Sequence, residues 1–276
     1  LSANGQFTVG GAFAGRKFDL LYGHPNSALP DGIGTSFTTV RVDGTDYRLE
    51  ELRGKVAKTA GDALVYEAKI GRTGISVRQI IRPESDAGRI KTRIQYEIRN
   101  SGTKPHSVGI RLLLDTWAGQ NDGVPFLLPI GSTSQLYRTE VEFTPSASVM
   151  WQIFDVDRSA GGMPRELALQ NILVGKDLVP PDRIAFANWI EASKTVWDYA
   201  VNSARRVTGD SAVILWWQPA TIGAGKTQQI ATELGAFLER REPAVFVTNA
   251  DSGEMLIYFW HHNDTDATQK LAYHVR

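Results

Sequence analysis

The stretch RIKTRIQYEIRN, residues 89–100, decides the fold. Ile90, Thr92, Ile94, Tyr96 and Ile98 alternate with Lys91, Arg93, Gln95, Glu97 and Arg99. A period of two places successive side chains on opposite faces of an extended chain, so one face is apolar and the other charged. The turn NSGTKP (100–105) then leads into HSVGIRLLLD (106–115), with Val108, Ile110, Leu112 and Leu114 on one face and Ser107 and Arg111 on the other. Two such runs around a Gly/Pro turn predict a long hairpin with one buried face. LYRTEVEF (136–143) repeats the pattern, Tyr137, Thr139, Val141 and Phe143 opposing Arg138, Glu140 and Glu142.

Further runs fit the same period: SFTTVRVDG (36–44), ALVYEAKIG (63–71), GISVRQIIRP (74–83), VMWQIFD (149–155), LALQNILVG (167–175), AVFVTN (244–249) and EMLIYFWHH (254–262). Turn signals punctuate them at Asp43-Gly44, Asp122-Gly123 and Ser252-Gly253. Many strands with almost no helical periodicity predict an all-β fold, a large antiparallel β-sandwich with few or no helices. PPDRIAFANWIEASKTVWDYAV (180–201) reads either as a helix capped near Asp182 or as a strand through Trp189 followed by an irregular loop. One domain over 1–276 is expected, with a weak boundary at ERREPA (239–244) and residues 243–276 as an added β-hairpin or the start of a further segment. The start at Leu1 and the end at LAYHVR suggest part of a longer chain.

Lys plus Arg and Asp plus Glu balance at 30 each, which leaves no global field for nucleic acid or an anionic membrane. No apolar run approaches the roughly 20 residues that cross a bilayer. A soluble monomer without nucleic-acid or membrane partners is therefore the expectation. With no cysteine in the chain, disulfides, thiolate metal sites and cysteine nucleophiles are excluded together.

GAGKTQQ (223–229) carries the end of a phosphate loop, but the glycine that should open the pattern is Ala220. The following TQQIATELGAF has no apolar helical stripe, so no helix dipole would hold an anion. A glycine-rich turn between antiparallel strands is the expected reading.

LLLDTWAGQNDGVPFLLP (112–129) places Asp115, Trp117, Asn121 and Asp122 at a strand end and in the loop after it. Asp115, Asn121 and Asp122 offer the hard oxygens that suit calcium, although their spacing is not that of an EF-hand. The plainer reading makes Asp115 and Asn121 loop caps and Asp122-Gly123 an ordinary turn. Asp155, Asp157 and Asp198 are further carboxylates for an acid/base pair. His261 and His262 would point to opposite faces of a strand, and His24 and His106 read as structural turn histidines. Among seven tryptophans, Trp117, Trp189, Trp197 and Trp260 lie beside polar residues, as a sugar-stacking surface requires.

YEIRNSGTKPHSVGIRLLLDT (96–116), NDGVPF (121–126), PPDRIAFANW (180–189), WDY (197–199) and DSAVILWWQPATIGAGKTQQIATELG (210–235) are similar to a group of uncharacterised bacterial proteins over residues 5–237. Export from the cytoplasm is what that resemblance implies. More remotely the chain resembles the supersandwich β-domains of the galactose mutarotase-like class, which accompany several glycoside hydrolases. That likeness implies a large double sheet and carbohydrate association. The His and Glu that mutarotases use as acid and base have no identified counterpart here, so mutarotation is not expected.

The leading expectation is a noncatalytic, extracytoplasmic β-sandwich that binds carbohydrate through Asp115, Trp117, Asn121, Asp122, Trp189 and Asp198. Calcium on Asp115, Asn121 and Asp122 is the only cofactor entertained. The rivals are a protein-interaction module that docks a partner on a sheet or edge, and a carbohydrate-active enzyme using carboxylates from Asp115, Asp122, Asp155 or Asp198.

Overall fold

The computed structural model describes residues 1–13, 16–23, 34–58, 62–86, 89–118, 121–130, 133–157, 163–236, 245–248 and 256–259. The chain divides into two compact units, Leu1–Phe237 and Leu238–Arg276. The second contains an antiparallel pair, Val245–Thr248 with Leu256–Phe259. His24, Trp260, His261 and His262 and the Ser252-Gly253 turn lie outside the described residues.

Two large antiparallel sheets build the first unit, beside a two-stranded pair of Gly10–Phe13 with Arg16–Asp19. The larger has nine strands in the spatial order Thr133–Tyr137, Phe126–Ile130, Met150–Asp157, Met163–Ile172, Thr227–Ala236, Arg89–Asn100, Ile75–Asp86, Leu64–Ile70, Gly54–Lys58. The smaller has six, in the order Val141–Phe143, Arg183–Asn188, Ser211–Ile222, His106–Asp115, Phe37–Val42, Thr45–Arg48. Both put their apolar faces into one core. Ile94, Tyr96 and Ile98 meet Val108, Ile110, Leu112 and Leu114 there, the alternating sets that the sequence marks. Phe126 of the large sheet stacks on Phe186 of the small one at 4.2 Å, and Trp151 edges both rings. Each such fully buried apolar side chain contributes about 1.5–3 kcal/mol.

The expected hairpin of residues 89–115 does not form. Arg89–Asn100 pairs with Ile75–Asp86 and Thr227–Ala236 in the large sheet, while His106–Asp115 pairs with Phe37–Val42 and Ser211–Ile222 in the small one. Residues 101–105 are a crossing between sheets, and GAGKTQQ is a second, carrying the chain from Ile222 back to Thr227. Alternation reports which face of a strand is buried, and it is the same for a hairpin and for two strands facing each other across a core.

The small sheet is buried on its other face as well. Arg183–Asn188 is a strand, and it runs into the one-turn helix Trp189–Ala192 and an irregular cover. That cover forms a second core with Leu113, Ala185, Ile214, Trp216, Trp197 and Tyr199. The adjacent Trp216 and Trp217 are therefore both buried, each in a different core. Arg111, expected on a polar outer face, is fully buried beneath the cover. Its guanidinium donates to the carbonyls of Ala192, Thr195 and Val196 at 3.1–3.3 Å and lies between the rings of Phe37 and Trp216.

Candidate functional site

Asp115 closes the strand His106–Asp115 and Asp210 immediately precedes Ser211–Ile222. These strands are antiparallel neighbours with Ala212 opposite Asp115, so the two carboxylates arrive at the same end of the sheet. Asp122 joins them through main chain, because its carbonyl accepts from Ser211 N at 3.0 Å. Ser211 Oγ pairs with Thr116 Oγ1 at 2.8 Å and fastens the start of the loop to the same point. Gly123 is no ordinary turn glycine: a Cβ there would stand 2.6 Å from the carbonyl of Thr208. The loop lies flat against the residues leading to Asp210 because Gly123 carries no side chain.

One carboxylate oxygen from each of Asp115, Asp122 and Asp210 lies within 4.8 Å of the others. Asp115 is 2% exposed, while Asp122 and Asp210 are half-buried. The Oδ1 atom of each is buried and accepts no hydrogen bond. Asp115 Oδ2 takes one from Thr35 Oγ1 at 2.6 Å. Among the described residues no lysine, arginine or histidine pairs with any of the three.

Burial and mutual repulsion hold the protons on. Burial, then Asp210 and Asp122, pushes the Asp115 carboxyl well above its ordinary range. Burial and Asp210 push Asp122 up to about 7, and burial alone pushes Asp210 up to about 6. Tyr22 is tied to the same point through main chain, its N donating to the Asp115 carbonyl at 3.0 Å, and its phenol is raised by burial and by the three carboxylates. Its ring packs on Trp117 with centroids 5.1 Å apart.

Glu140 shows how this fold treats a carboxylate whose work is structural. It is fully buried, and it accepts from Asn188 N at 3.0 Å, Asn202 N at 2.8 Å, Arg205 Nη1 at 3.2 Å and the Tyr199 hydroxyl. The aspartate cluster has no such set of donors.

Of the residues marked in the sequence, the structure gathers Asp115 and Asp122, and it packs the Trp117 ring on Tyr22. Asn121 is nearly buried, its main chain exchanging hydrogen bonds with Ala118 at 2.8 and 3.0 Å. The main-chain N–H of Trp189 donates to the carbonyl of Asp210 at 3.0 Å, but its ring packs on Phe37. Asp198 stands apart on the surface, 87% exposed and 3.6 Å from Arg41 Nη2. Asp155 and Asp157 end the strand Met150–Asp157, and their side chains are not among those described. His106 lies at a strand start, its Nδ1 2.6 Å from Asp43 Oδ2.

Sequence reasoning missed Asp210 and Tyr22. The available signal for Asp210 is the pair LLLDT and GDSAV, two strands with an aspartate at one end each, which converge only if the strands are antiparallel neighbours. Elsewhere, on the large sheet, a groove of about 530 Å³ is lined by Arg82, Glu84, Arg93, Gln95 and Val179. Its Arg93 is engaged by Glu233 and the Asp177 carbonyl, and none of the candidate site residues lines it.

No family model matches the chain, and no curated protein does. Among solved structures it is similar to the Slr1438 protein from Synechocystis sp. PCC 6803, at 11% identity over 71% of this chain and 77% of that one, TM-score 0.43. It is also similar to a galactose mutarotase related enzyme from Lactobacillus acidophilus, at 8% identity over 82% and 88%, TM-score 0.44. An aldose epimerase homologue from C. elegans gives 9% identity over 80% and 88%, TM-score 0.40.

Proposed function

We propose that the protein is a noncatalytic, extracytoplasmic carbohydrate-binding β-sandwich whose ligand sits against Trp117 and Tyr22 with hydroxyls turned toward Asp122 and Asp210. The observation that carries this reading is the Tyr22–Trp117 aromatic pair, held by main chain at the sheet end where the half-buried Asp122 and Asp210 meet. A sugar ring offers C–H faces to an aromatic surface and O–H donors to acceptors at its edge. The extracytoplasmic placement draws on the resemblance of residues 5–237 to exported proteins. Calorimetric titration with pools of mono- and oligosaccharides tests the reading. A binding pool should lose at least ten-fold in affinity on Trp117→Ala, whereas silence from every pool would overturn it.

A second reading has its own observation. Asp122 at about 7 and Asp210 at about 6 are carboxyls poised to exchange protons near neutrality, as acid and base catalysts are. Release of new reducing ends from an oligosaccharide, lost on Asp122→Asn, would favour glycosidic chemistry over binding alone.

A further inference from the structure

We infer that Asp115, Asp122 and Asp210 together hold a divalent, oxygen-preferring cation, calcium, at the end of the six-stranded sheet. The site is the one proposed for carbohydrate, but the evidence for the cation does not involve the aromatic pair.

Distance is the first argument. Oxygens bound to one calcium lie about 2.3–2.6 Å from it, so two of them are at most about 5 Å apart. The three aspartates each bring an oxygen inside 4.8 Å of the others. Charge is the second. Three carboxylates at that separation repel, and no cationic side chain among the described residues pairs with them. Two ways of removing the repulsion remain, protons or a bound cation.

Asp115 itself calls for a partner. It is more than nine-tenths buried, and its Oδ1 is left without a donor in a fold that supplies Glu140 with four groups. A buried acceptor left unmet costs free energy, which a bound cation removes. The positions are also fixed in advance. Asp115 and Asp210 flank paired strands, Thr35 orients the former, and Ser211 N pins the carbonyl of Asp122. Asp210 supplies the third carboxylate, where the loop sequence offers Asn121 as the third oxygen ligand. Calcium takes six to eight oxygens, so water completes the shell on the half-buried side.

The test uses protein stripped with a chelator. Terbium(III) should luminesce when Tyr22 and Trp117 are excited, and calcium should displace it. Calcium, and not sodium chloride of equal ionic strength, should raise the thermal midpoint. Both responses should weaken at least ten-fold in Asp210→Asn and in Asp122→Asn. Each variant removes a repelling charge, so folding is retained, and circular dichroism checks it. No calcium response at 10-millimolar levels (about ten times the weakest extracellular sites), or responses unchanged in both variants, would overturn the inference. Sugar titrations are run separately with and without calcium. Sugar binding that survives in a calcium-blind variant leaves the carbohydrate reading standing while this one is judged on the metal signals alone.

Discussion

Asn100 donates from its side-chain amide to the main-chain carbonyl of Ile222 at 2.9 Å, and so joins the two places where the chain passes between sheets. The same amide donates to the Lys104 carbonyl at 2.8 Å and its oxygen accepts from Gly102 N at 2.9 Å, shaping the first crossing. Its main chain meets Lys226 and Gly225 of the second, each at 2.9 Å. One buried asparagine thus fixes both corners at one end of the sandwich.

Asn100→Ala would leave the Ile222 carbonyl and the Gly102 N–H without partners at a buried corner. We expect a loss of about 2–3 kcal/mol. Urea unfolding should show a lower midpoint at unchanged slope. A loss below about 0.5 kcal/mol, the level of an ordinary surface substitution, would mean that solvent serves these groups as well as Asn100 does.

The faces of these strands were legible in the sequence, and their partners were not. Val108, Ile110, Leu112 and Leu114 are on the core side as their spacing requires. Nothing in period two says whether the next apolar run lies beside a strand or across the core from it, so the crossing after Asn100 reads as a hairpin. Arg111 and Glu140 are polar members of alternating runs, yet the cover of residues 189–206 buries both, an event encoded far along the chain. The site was half legible for the same reason. Asp115 and Asp122 are local to one loop, whereas Asp210 reaches them only through strand pairing.

Glu140→Gln should test the anchor of that cover. The substitution keeps the shape but removes the charge that Asn188 N, Asn202 N and Arg205 bind. Hydrogen bonds to a charged group contribute about 1.5–3 kcal/mol each, and the isostere keeps part of that. A destabilisation of about 2 kcal/mol is expected, with earlier proteolysis near residues 193–206. Wild-type resistance to protease would show that the cover is held by its apolar contacts with Trp216 alone.

Stability of chelator-treated protein should fall as pH rises from about 4 to about 7. Unfolded aspartates release protons near about 3.9, while Asp122 and Asp210 keep theirs to about 7 and about 6. The folded chain therefore binds more protons across that interval, which makes the slope of stability with pH negative. The effect is on the order of 1 kcal/mol per carboxyl once solvent screening is counted. Asp210→Asn should flatten the slope and stabilise the cation-free protein at pH 7. A thermal midpoint that rises over this range in chelator, with other carboxylates accounted for by the variant, would show that the three groups do not repel as their separation demands.

Two glycines on either side of one contact give the sharpest test of how Asp122 is placed. A methyl at Gly123 would stand 2.6 Å from the Thr208 carbonyl, whereas one at Gly209 would meet nothing within 4 Å. Gly123→Ala must push its loop away from the residues preceding Asp210, carrying Asp122 with it. Overpacking of that kind costs about 1–3 kcal/mol. Gly209→Ala, one residue from Asp210, should leave stability within about 0.5 kcal/mol. Calcium affinity should follow the same division, falling in the first variant and holding in the second, because only the first moves a carboxylate. Equal behaviour of the two would mean that Asp122 reaches the cluster by side-chain rotation rather than by the close approach of main chain at Gly123.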